Sequence, residues 1–182
     1  MKKLLLIPLL LALAAAGPAP AKDKPMEKTA EKISDFASFK APEGWTQRDY
    51  VEQGDPQVRL EKGLHAITVR LAGGPGSRYK NTSEFLGGFE ARSMGGKPAE
   101  KLSNTAVSGS RALVYRRKVP LDLPPPDESG PAEMGTEQFC LVPAGKRFFV
   151  LSYSYGDSIP DPAYDGEKAW RAFLKDFKAK KR

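Results

Sequence analysis

Residues 147–155 (RFFVLSYSY) have large apolar side chains on both sides of a potential strand. Alternate residues of a strand point to opposite faces of the sheet. One face would hold Phe149, Leu151, Tyr153 and Tyr155, and the other would hold Phe148 and Val150. A strand that is apolar on both faces must be covered on both faces. The segment therefore predicts a central strand with other structure packed on each side of its sheet.

Two segments have the helical spacing needed to cover such a sheet. An apolar stripe at i, i+3, i+4 and i+7 predicts a C-terminal helix and consists of Trp170, Phe173, Leu174 and Phe177. Residues 81–94 predict a second helix, because Asn81 can cap it and Glu84 can reach back to the cap amide. We expect the C-terminal helix to cover one face of the sheet, and the 81–94 helix to cover the other face or an edge.

Short β-rich segments joined by turns account for most of the remaining chain. The predicted strands are 36–39, 45–51, 58–60, 64–71, 101–107, 112–115, 137–142 and 147–155. A turn at 42–44 is expected to join the first two of these strands as a hairpin, and residues 143–146 predict another hairpin turn. Five prolines in 120–135 predict a long surface loop. The pattern predicts an α+β fold, with an antiparallel sheet of about six or seven strands sandwiched between helices.

A recognisable order of motifs runs along this pattern. It consists of Phe39, Pro42, Gly44 and Trp45, then Val107 and Gly109, and finally the helix at 170–177. The order resembles the superfamily typified by PsbP (the extrinsic subunit of photosystem II), the Mog-type Ran-binding proteins and the bacterial periplasmic DcrB proteins. The resemblance covers nearly all of the chain after residue 21 in element order, and its only compact motif is Pro-Glu-Gly-Trp. It implies an α/β/α sandwich, and a role in docking onto larger assemblies. The positions expected to be structural are Pro42, Gly44, Trp45, Trp170, Phe173 and Phe177.

The first 21 residues have the parts of a secretory signal peptide. Lys2 and Lys3 precede an apolar run, and Ala19-Pro20-Ala21 supplies an Ala-x-Ala end. The run is shorter than the ~20 residues that a spanning helix needs. No cysteine lies near Ala21 to carry a lipid anchor. We therefore expect cleavage after Ala21 and a periplasmic or secreted protein, with a flexible lead-in at 22–35 and a single domain at 36–182.

The basic excess of the sequence is modest. The full chain has a net charge of +7, and loss of Lys2 and Lys3 lowers Lys plus Arg from 29 to 27 against 22 acids, which leaves +5. Part of the excess lies at the C-terminus, where a weak contact with an anionic polymer or lipid would use Lys178, Lys180, Lys181 and Arg182. Nucleic acid is not an expected partner of an exported protein.

The residue types that carry most catalysis are scarce. Cys140 is the only cysteine and His65 the only histidine, so an intramolecular disulfide and a His- or Cys-rich zinc site are excluded. The apolar neighbours of Cys140 predict a buried, inert thiol. The glycine-rich segment 73–78 lacks the ending of a phosphate-binding loop, and the aspartates 157, 161 and 165 lack the rest of a calcium loop. No cofactor, metal or catalytic residue is predicted.

These observations predict a non-enzymatic binding or accessory protein of the bacterial cell envelope, which acts by docking to a protein assembly. The candidate partner surface combines the proline-rich loop with tyrosines expected to be exposed near a strand end, namely Leu123, Pro125, Tyr153 and Tyr155. One alternative is a carrier of a small ligand or lipid, with a pocket between sheet and helix. A second alternative is an enzyme with a Cys140–His65 or carboxylate centre.

Overall fold

A computed structural model describes residues 31–91, 98–122, 133–156 and 164–180. Contacts within the chain separate Met1–Ala30 from Glu31–Arg182, and all described residues belong to the second unit. The predicted signal peptide, most of the lead-in, and the loop residues Leu123 and Pro125 lie outside the described residues. Lys181 and Arg182 lie outside them as well.

A seven-stranded antiparallel sheet forms the centre of the fold, as predicted. Its strands are β2 (Thr46–Glu52), β3 (Asp55–Lys62), β4 (His65–Ala72), β5 (Glu100–Val107), β6 (Ser110–Asp122), β7 (Glu133–Ala144) and β8 (Arg147–Gly156). Their spatial order is β2-β3-β4-β8-β7-β6-β5, so β8 is the middle strand. The sequence prediction of a central strand at 147–155 is therefore confirmed.

Two α-helices in the described residues cover opposite faces of the sheet. They are α1 (Thr82–Ala91) and α2 (Gly166–Asp176). One core cluster joins the α2 stripe, including Trp170 and Phe173, to Phe149 and Leu151 of β8. The other joins Phe85 of α1 to the opposite face of the same strand, at Phe148 and Val150. This arrangement confirms a sheet sandwiched between helices.

Four of the hairpins are closed by two-residue turns, at 53–54, 63–64, 108–109 and 145–146. At Gln53–Gly54 and Ser108–Gly109, both central residues have positive φ angles, between 51° and 78°. Positive φ at both central positions is the type I′ pattern, whose twist matches that of the flanking strands. Gly54 is required for a second reason, because a Cβ there would lie 2.2 Å from the carbonyl oxygen of Gly76.

The predicted first hairpin is wrong. Residues 36–39 contain β1 (Ala37–Ser38), which does not pair with β2 but with β9 (Lys178–Ala179) in a separate two-stranded sheet. Each strand is only two residues long, and the backbone N–H of Lys180 extends the pairing by donating to the carbonyl of Phe36 at 2.7 Å. The turn at 42–44 exists nevertheless, with Gly44 at φ 75° and the Trp45 N–H donating to the Pro42 carbonyl.

The lead-in is ordered earlier than its predicted boundary at residue 35. Ile33–Asp35 forms one turn of 3₁₀-helix, and Ile33 is completely buried in the core on the α2 side. An apolar residue that contributes to the core cannot belong to a solvated lead-in. The proline-rich loop is also narrower than 120–135, because β6 continues through Pro120 to Asp122 and β7 begins at Glu133.

Side-chain caps fix the starts of both helices. The Asn81 amide oxygen accepts from the Glu84 N–H at 2.8 Å, while the Glu84 carboxylate reaches the N–H of Lys80, one residue before the predicted partner. Asp165 caps α2 by accepting from the Lys168 N–H at 2.9 Å. No helix in the described part of the chain is both long and apolar enough to cross a membrane.

The C-terminal helix ends one residue before Phe177, and this changes the roles of the residues after it. An i,i+4 pair of Asp176 with Lys180, which a longer helix would allow, does not form, because Lys180 follows β9 and Asp176 instead accepts from the backbone N–H of Lys40. Within α2, Glu167 and Arg171 form an i,i+4 ion pair at 2.8 Å.

Candidate functional site

Tyr153 was predicted to be an exposed contact residue, and this prediction is wrong. Its side chain is 1% exposed and stacks on Trp170 of α2, with 6.1 Å between the ring centroids. Its hydroxyl lies 2.9 Å from Nδ1 of His65. Tyr153 shares a face with Phe149 and Leu151, and α2 extends far enough along that face to cover it. Tyr155, two residues further on, is only half-buried.

Gly166, the first residue of α2, brings this helix close to the His65–Tyr153 pair. A Cβ at position 166 would lie 2.1 Å from the Tyr153 hydroxyl and 2.6 Å from Nδ1 of His65. Burial raises the pKa of Tyr153, and the neighbouring Tyr155 and Glu167 raise it further. The pair is therefore enclosed by the helix start, which gives His65 and Tyr153 a packing role.

Trp45 closes the same corner of the core. It is 8% exposed, and its indole N–H donates to the Tyr164 hydroxyl at 2.6 Å. Lys62 lies 4.5 Å above the Tyr164 ring, and the ring centroid of His65 is 5.2 Å from that of Tyr164. Because the polar atom of Trp45 has its partner within the protein, the side chain anchors the loop before α2 to the sheet.

The Cys140–His65 pair is not assembled. Cys140 is completely buried, and burial raises the pKa of its thiol to about 12. It pairs with Leu151 of β8, which pairs with Val69 of β4. Val69 is four residues from His65 along the same strand, a distance of about 13 Å. The imidazole therefore cannot activate the thiol.

The glycine-rich connection after β4 is closed by its own hydrogen bonds. The hydroxyl of Ser77 accepts from the backbone N–H of Gly73 at 3.1 Å and of Tyr79 at 3.3 Å. The Lys80 ammonium donates to the carbonyl of Ser77 at 2.8 Å. The amides of Gly73, Ser77 and Tyr79 are thus already used within the segment, which is a compact connection between β4 and α1.

Metal-binding groups do not converge in the ordered domain. Among residues 31–91, 98–122, 133–156 and 164–180, no three His, Cys, Asp or Glu side chains come together at a possible metal site. Of the three aspartates considered for calcium, Asp165 caps α2, and those at 157 and 161 lie outside the described residues.

A polar cleft of 220 Å³ lies beside α1, on the sheet face that the helix leaves open. We call it the arginine cleft, and its main lining residues are Tyr50, Arg59, Thr68, Arg70, Arg117 and Ser152. Each guanidinium is paired: Arg59 with Glu61 at 2.6 Å, Arg117 with Glu137 at 2.6 Å, and Arg70 with the fully buried Asp55.

The charges of the arginine cleft are held in fixed positions. The hydrogen bond from Arg59 lowers the pKa of Glu61, and burial raises the pKa of the Tyr50 hydroxyl. Arg117 lies 4.1 Å above the ring of Phe89 in α1. The cleft therefore offers ordered donors and hydroxyls to a small polar ligand.

A second open site lies at the end of the sheet. This groove has a volume of 690 Å³ and is lined by Glu31, Phe36, Ser108, Ser110, residues 142–147, Ala179 and Lys180. Its floor is apolar, with Phe36, Val142 and Ala144, and its rim is basic, with Lys146, Arg147 and Lys180. We call it the forked groove, because the pairing of β6 with β7 stops beside it.

Pro143 explains why β6 and β7 fork. In a two-residue hairpin the residues that flank the turn direct their backbone groups at each other. Ala144 faces Arg147 of β8 in this way, so Pro143, one residue earlier, faces β6. Proline has no N–H to donate. The ladder between β6 and β7 accordingly ends at Val114–Cys140, with residues 110–113 and 141–144 beyond it.

Sequence reasoning found neither the arginine cleft nor the forked groove. The signal for the cleft in the sequence is a set of polar residues at alternate positions of two neighbouring strands. They are Gln57, Arg59 and Glu61 in β3, and Thr68 and Arg70 in β4. A signal for the groove was Pro143, since proline in a strand indicates a position without a neighbour on one side. Of the basic tail, Lys180 lines the groove, while Lys178 belongs to β9.

Comparison with family models finds no match, and comparison with curated protein sequences finds none either. Among solved structures, a protein from Bacteroides thetaiotaomicron VPI-5482 matches 85% of this chain with a TM-score of 0.51 and 9% sequence identity. The present chain spans 48% of that protein, about half of its length. Another match is LpqN, involved in cell envelope biogenesis of Mycobacterium tuberculosis, with 79% of this chain and 82% of LpqN covered, a TM-score of 0.35 and 11% identity. At 9% identity, the likeness to the Bacteroides protein is a likeness of fold.

Proposed function

We propose that the chain is an exported, non-enzymatic binding or accessory protein of the bacterial cell envelope, and that it docks to a protein partner through the forked groove. The observation that carries the proposal is the fork itself. The β6–β7 ladder ends beside an open groove that is lined by Ser110 of β6, by residues 142–144 of β7 and by Phe36. Unpaired strand edges are the surface to which an extended segment of another protein can add.

Export is supported by the N-terminal sequence, where two lysines, an apolar run and Ala19-Pro20-Ala21 follow one another. We propose a periplasmic or secreted location after cleavage at Ala21. We also propose kinship with the PsbP, Mog-type and DcrB superfamily, which is supported by the order of the elements and by the Pro42–Trp45 turn. N-terminal sequencing of the protein recovered from the envelope fraction should begin at Lys22, and a protein that retains residue 1 would contradict the export proposal.

Docking can be tested with a photo-crosslinking amino acid placed in the living bacterium. Position 146 lies on the rim of the forked groove, and position 168 is an exposed lysine on α2 outside it. We expect illumination to give a discrete protein adduct from position 146 and none of that mass from position 168. Equal adduct patterns from both positions, or none from position 146, would contradict docking at this groove.

A second candidate function is the binding of a small polar ligand in the arginine cleft. It is favoured by two hydroxyls, of Thr68 and Ser152, which lie between arginines whose positions are fixed by carboxylates. Native mass spectrometry of the protein purified from its own bacterium would show the added mass. Ser152→Phe would fill the cleft and should abolish that mass, whereas retention of the mass in the variant would place the ligand elsewhere.

A further inference from the structure

We infer that the forked groove takes an extended peptide segment of the partner that carries acidic side chains. This inference rests on the docking function proposed above and specifies the chemistry of the partner. Three properties of the groove support it: the orientation of the free backbone groups, the balance of charge around the rim, and the apolar floor.

The free backbone groups favour an extended peptide. Ser110 flanks the Ser108–Gly109 turn and faces Val107 of β5, so the N–H and C=O of Arg111 point toward the fork. The carbonyl of Pro143 points toward the fork from the other side. Four residues on each strand lie beyond the last pair, which gives each edge a length of about 13 Å. A donor and acceptors at strand spacing match the backbone of an added strand.

The charge of the rim favours acidic side chains. Lys146, Arg147 and Lys180 line the groove with a single carboxylate, Glu31. Glu31 is already bound by Arg147, through two hydrogen bonds of 2.6 and 3.1 Å, and the Arg147 guanidinium is stacked 5.1 Å above Phe36. Lys146 makes no hydrogen bond or ion pair within the described residues and is exposed. The positive charge that remains would be complemented by an acidic partner.

The apolar floor of the groove favours apolar side chains in the bound segment. Alternate side chains of an added strand point in opposite directions. The side chains that face the groove would meet Phe36, Val142 and Ala144, with Arg147 beside Phe36 and Lys146 and Lys180 also in the lining. The segment that fits best therefore carries both apolar and acidic residues, and a peptide of alternating residues offers one kind on each of its faces.

A binding experiment with short labelled peptides tests this inference on the whole protein. The probe is a hexapeptide of alternating valine and glutamate, and its counterpart has lysine in place of glutamate. Two further probes are the glutamate peptide N-methylated at the valines and the same peptide N-methylated at the glutamates. We expect the glutamate peptide to bind at least tenfold more tightly than the lysine peptide. One N-methylated form should lose at least tenfold in affinity while the other retains it, because only alternate residues of an added strand direct their N–H groups at the β6 edge, where Arg111 lies.

A matched pair of variants locates the binding. Lys146→Glu with Lys180→Glu reverses two charges in the forked groove, and Lys168→Glu with Lys175→Glu reverses two charges on exposed positions of α2. The first double variant should lose the preference for the glutamate peptide, and the second should keep it. Thermal unfolding of both variants checks that they remain folded.

The possible failures are distinguishable. If both peptides bind equally and one N-methylated form is still excluded, the acidic partner is wrong while docking at the fork stands. If no peptide binds and position 146 gives no adduct in the bacterium, the docking function itself fails. If the peptides do not bind but vesicles of phosphatidylglycerol do, and the groove variant abolishes that binding, the groove recognises an anionic lipid and the peptide inference is overturned.

Discussion

The indole N–H of Trp45 donates a hydrogen bond of 2.6 Å to the hydroxyl of Tyr164, 119 positions further along the chain. The bond joins the turn before β2 to the segment before α2. Both partners lie in the corner of the core where His65 and Tyr153 also meet. It fixes the position at which the C-terminal helix begins to cross the sheet.

Removal of the Tyr164 hydroxyl should destabilise the domain. Tyr164→Phe leaves the Trp45 N–H without its acceptor, which typically costs about 1–3 kcal/mol for a buried donor. Urea unfolding would measure the loss. In Trp45→Phe the donor is already absent, so adding Tyr164→Phe to that variant should have a smaller effect than in the wild type. Additive effects of the two changes would show that the bond does not stabilise the fold.

Substitution of glycine by alanine should have opposite effects at two helical positions. At Gly166 the new Cβ would overlap the Tyr153 hydroxyl, and overpacking of this kind costs about 1–3 kcal/mol. At Gly87, on the exposed side of α1, the Cβ meets no atom within 4 Å. Gly87→Ala should therefore raise the free energy of unfolding by about 1 kcal/mol, from helix propensity alone. Destabilisation by both changes would indicate that α1 is not helical at Gly87.

Stability should fall in alkaline solution because Cys140 is buried. Its ordinary pKa of 9.0 is raised to about 12 in the folded protein, so the unfolded thiol loses its proton first. The stabilisation is complete below pH 9 and is lost as the pH rises toward 12, with a slope of about 1.4 kcal/mol per pH unit. The raised pKa of Tyr153 adds to the loss above pH 10. Cys140→Ala should flatten the decline between pH 9 and 10, and an unchanged slope would refute this assignment.

The thiol of Cys140 should react only when the protein unfolds. A disulfide reagent at neutral pH needs the thiolate and access to it, and the folded protein provides neither. We expect labelling in the native state to be slower than in urea by several orders of magnitude. His65→Ala should not slow it further, since Cys140 is level with Val69 of β4, and His65 lies four residues, about 13 Å, from Val69 along that strand. Rapid native labelling that depends on His65 would instead support a catalytic centre.

The layers of the fold can be predicted from the sequence, but the pairing of segments far apart in the chain cannot. The double-sided apolar pattern of β8 and the stripe of α2 predicted which surfaces are buried, because burial leaves a period of 2 or 3.6 residues. The pairing of β1 with β9 left no such period, since each strand has two residues. For this reason the sequence predicts that the strand at 37–38 pairs with the next strand in a hairpin, and not with a strand near the C-terminus.

The candidate sites were harder to predict than the layers. Tyr153 and Tyr155 continue one alternation, and only the starting point of α2 decides that the first is buried and the second half-buried. Leu123 and Pro125 remain predictions, since they lie outside the described residues. The forked groove depends on which neighbour Pro143 faces, and that follows from the register of the hairpin rather than from local composition.

The pairing of β1 with β9 acts as a latch between the two ends of the domain. A nascent chain cannot close this latch until residues 178–179 have left the ribosome, and the rings of Phe39 and Phe177 cannot stack before Phe177 has emerged. Chains truncated before Lys178 would lack the latch altogether. In a chain exported as proposed above, this pairing would therefore be among the last to form, after residues 178–179 have crossed the membrane.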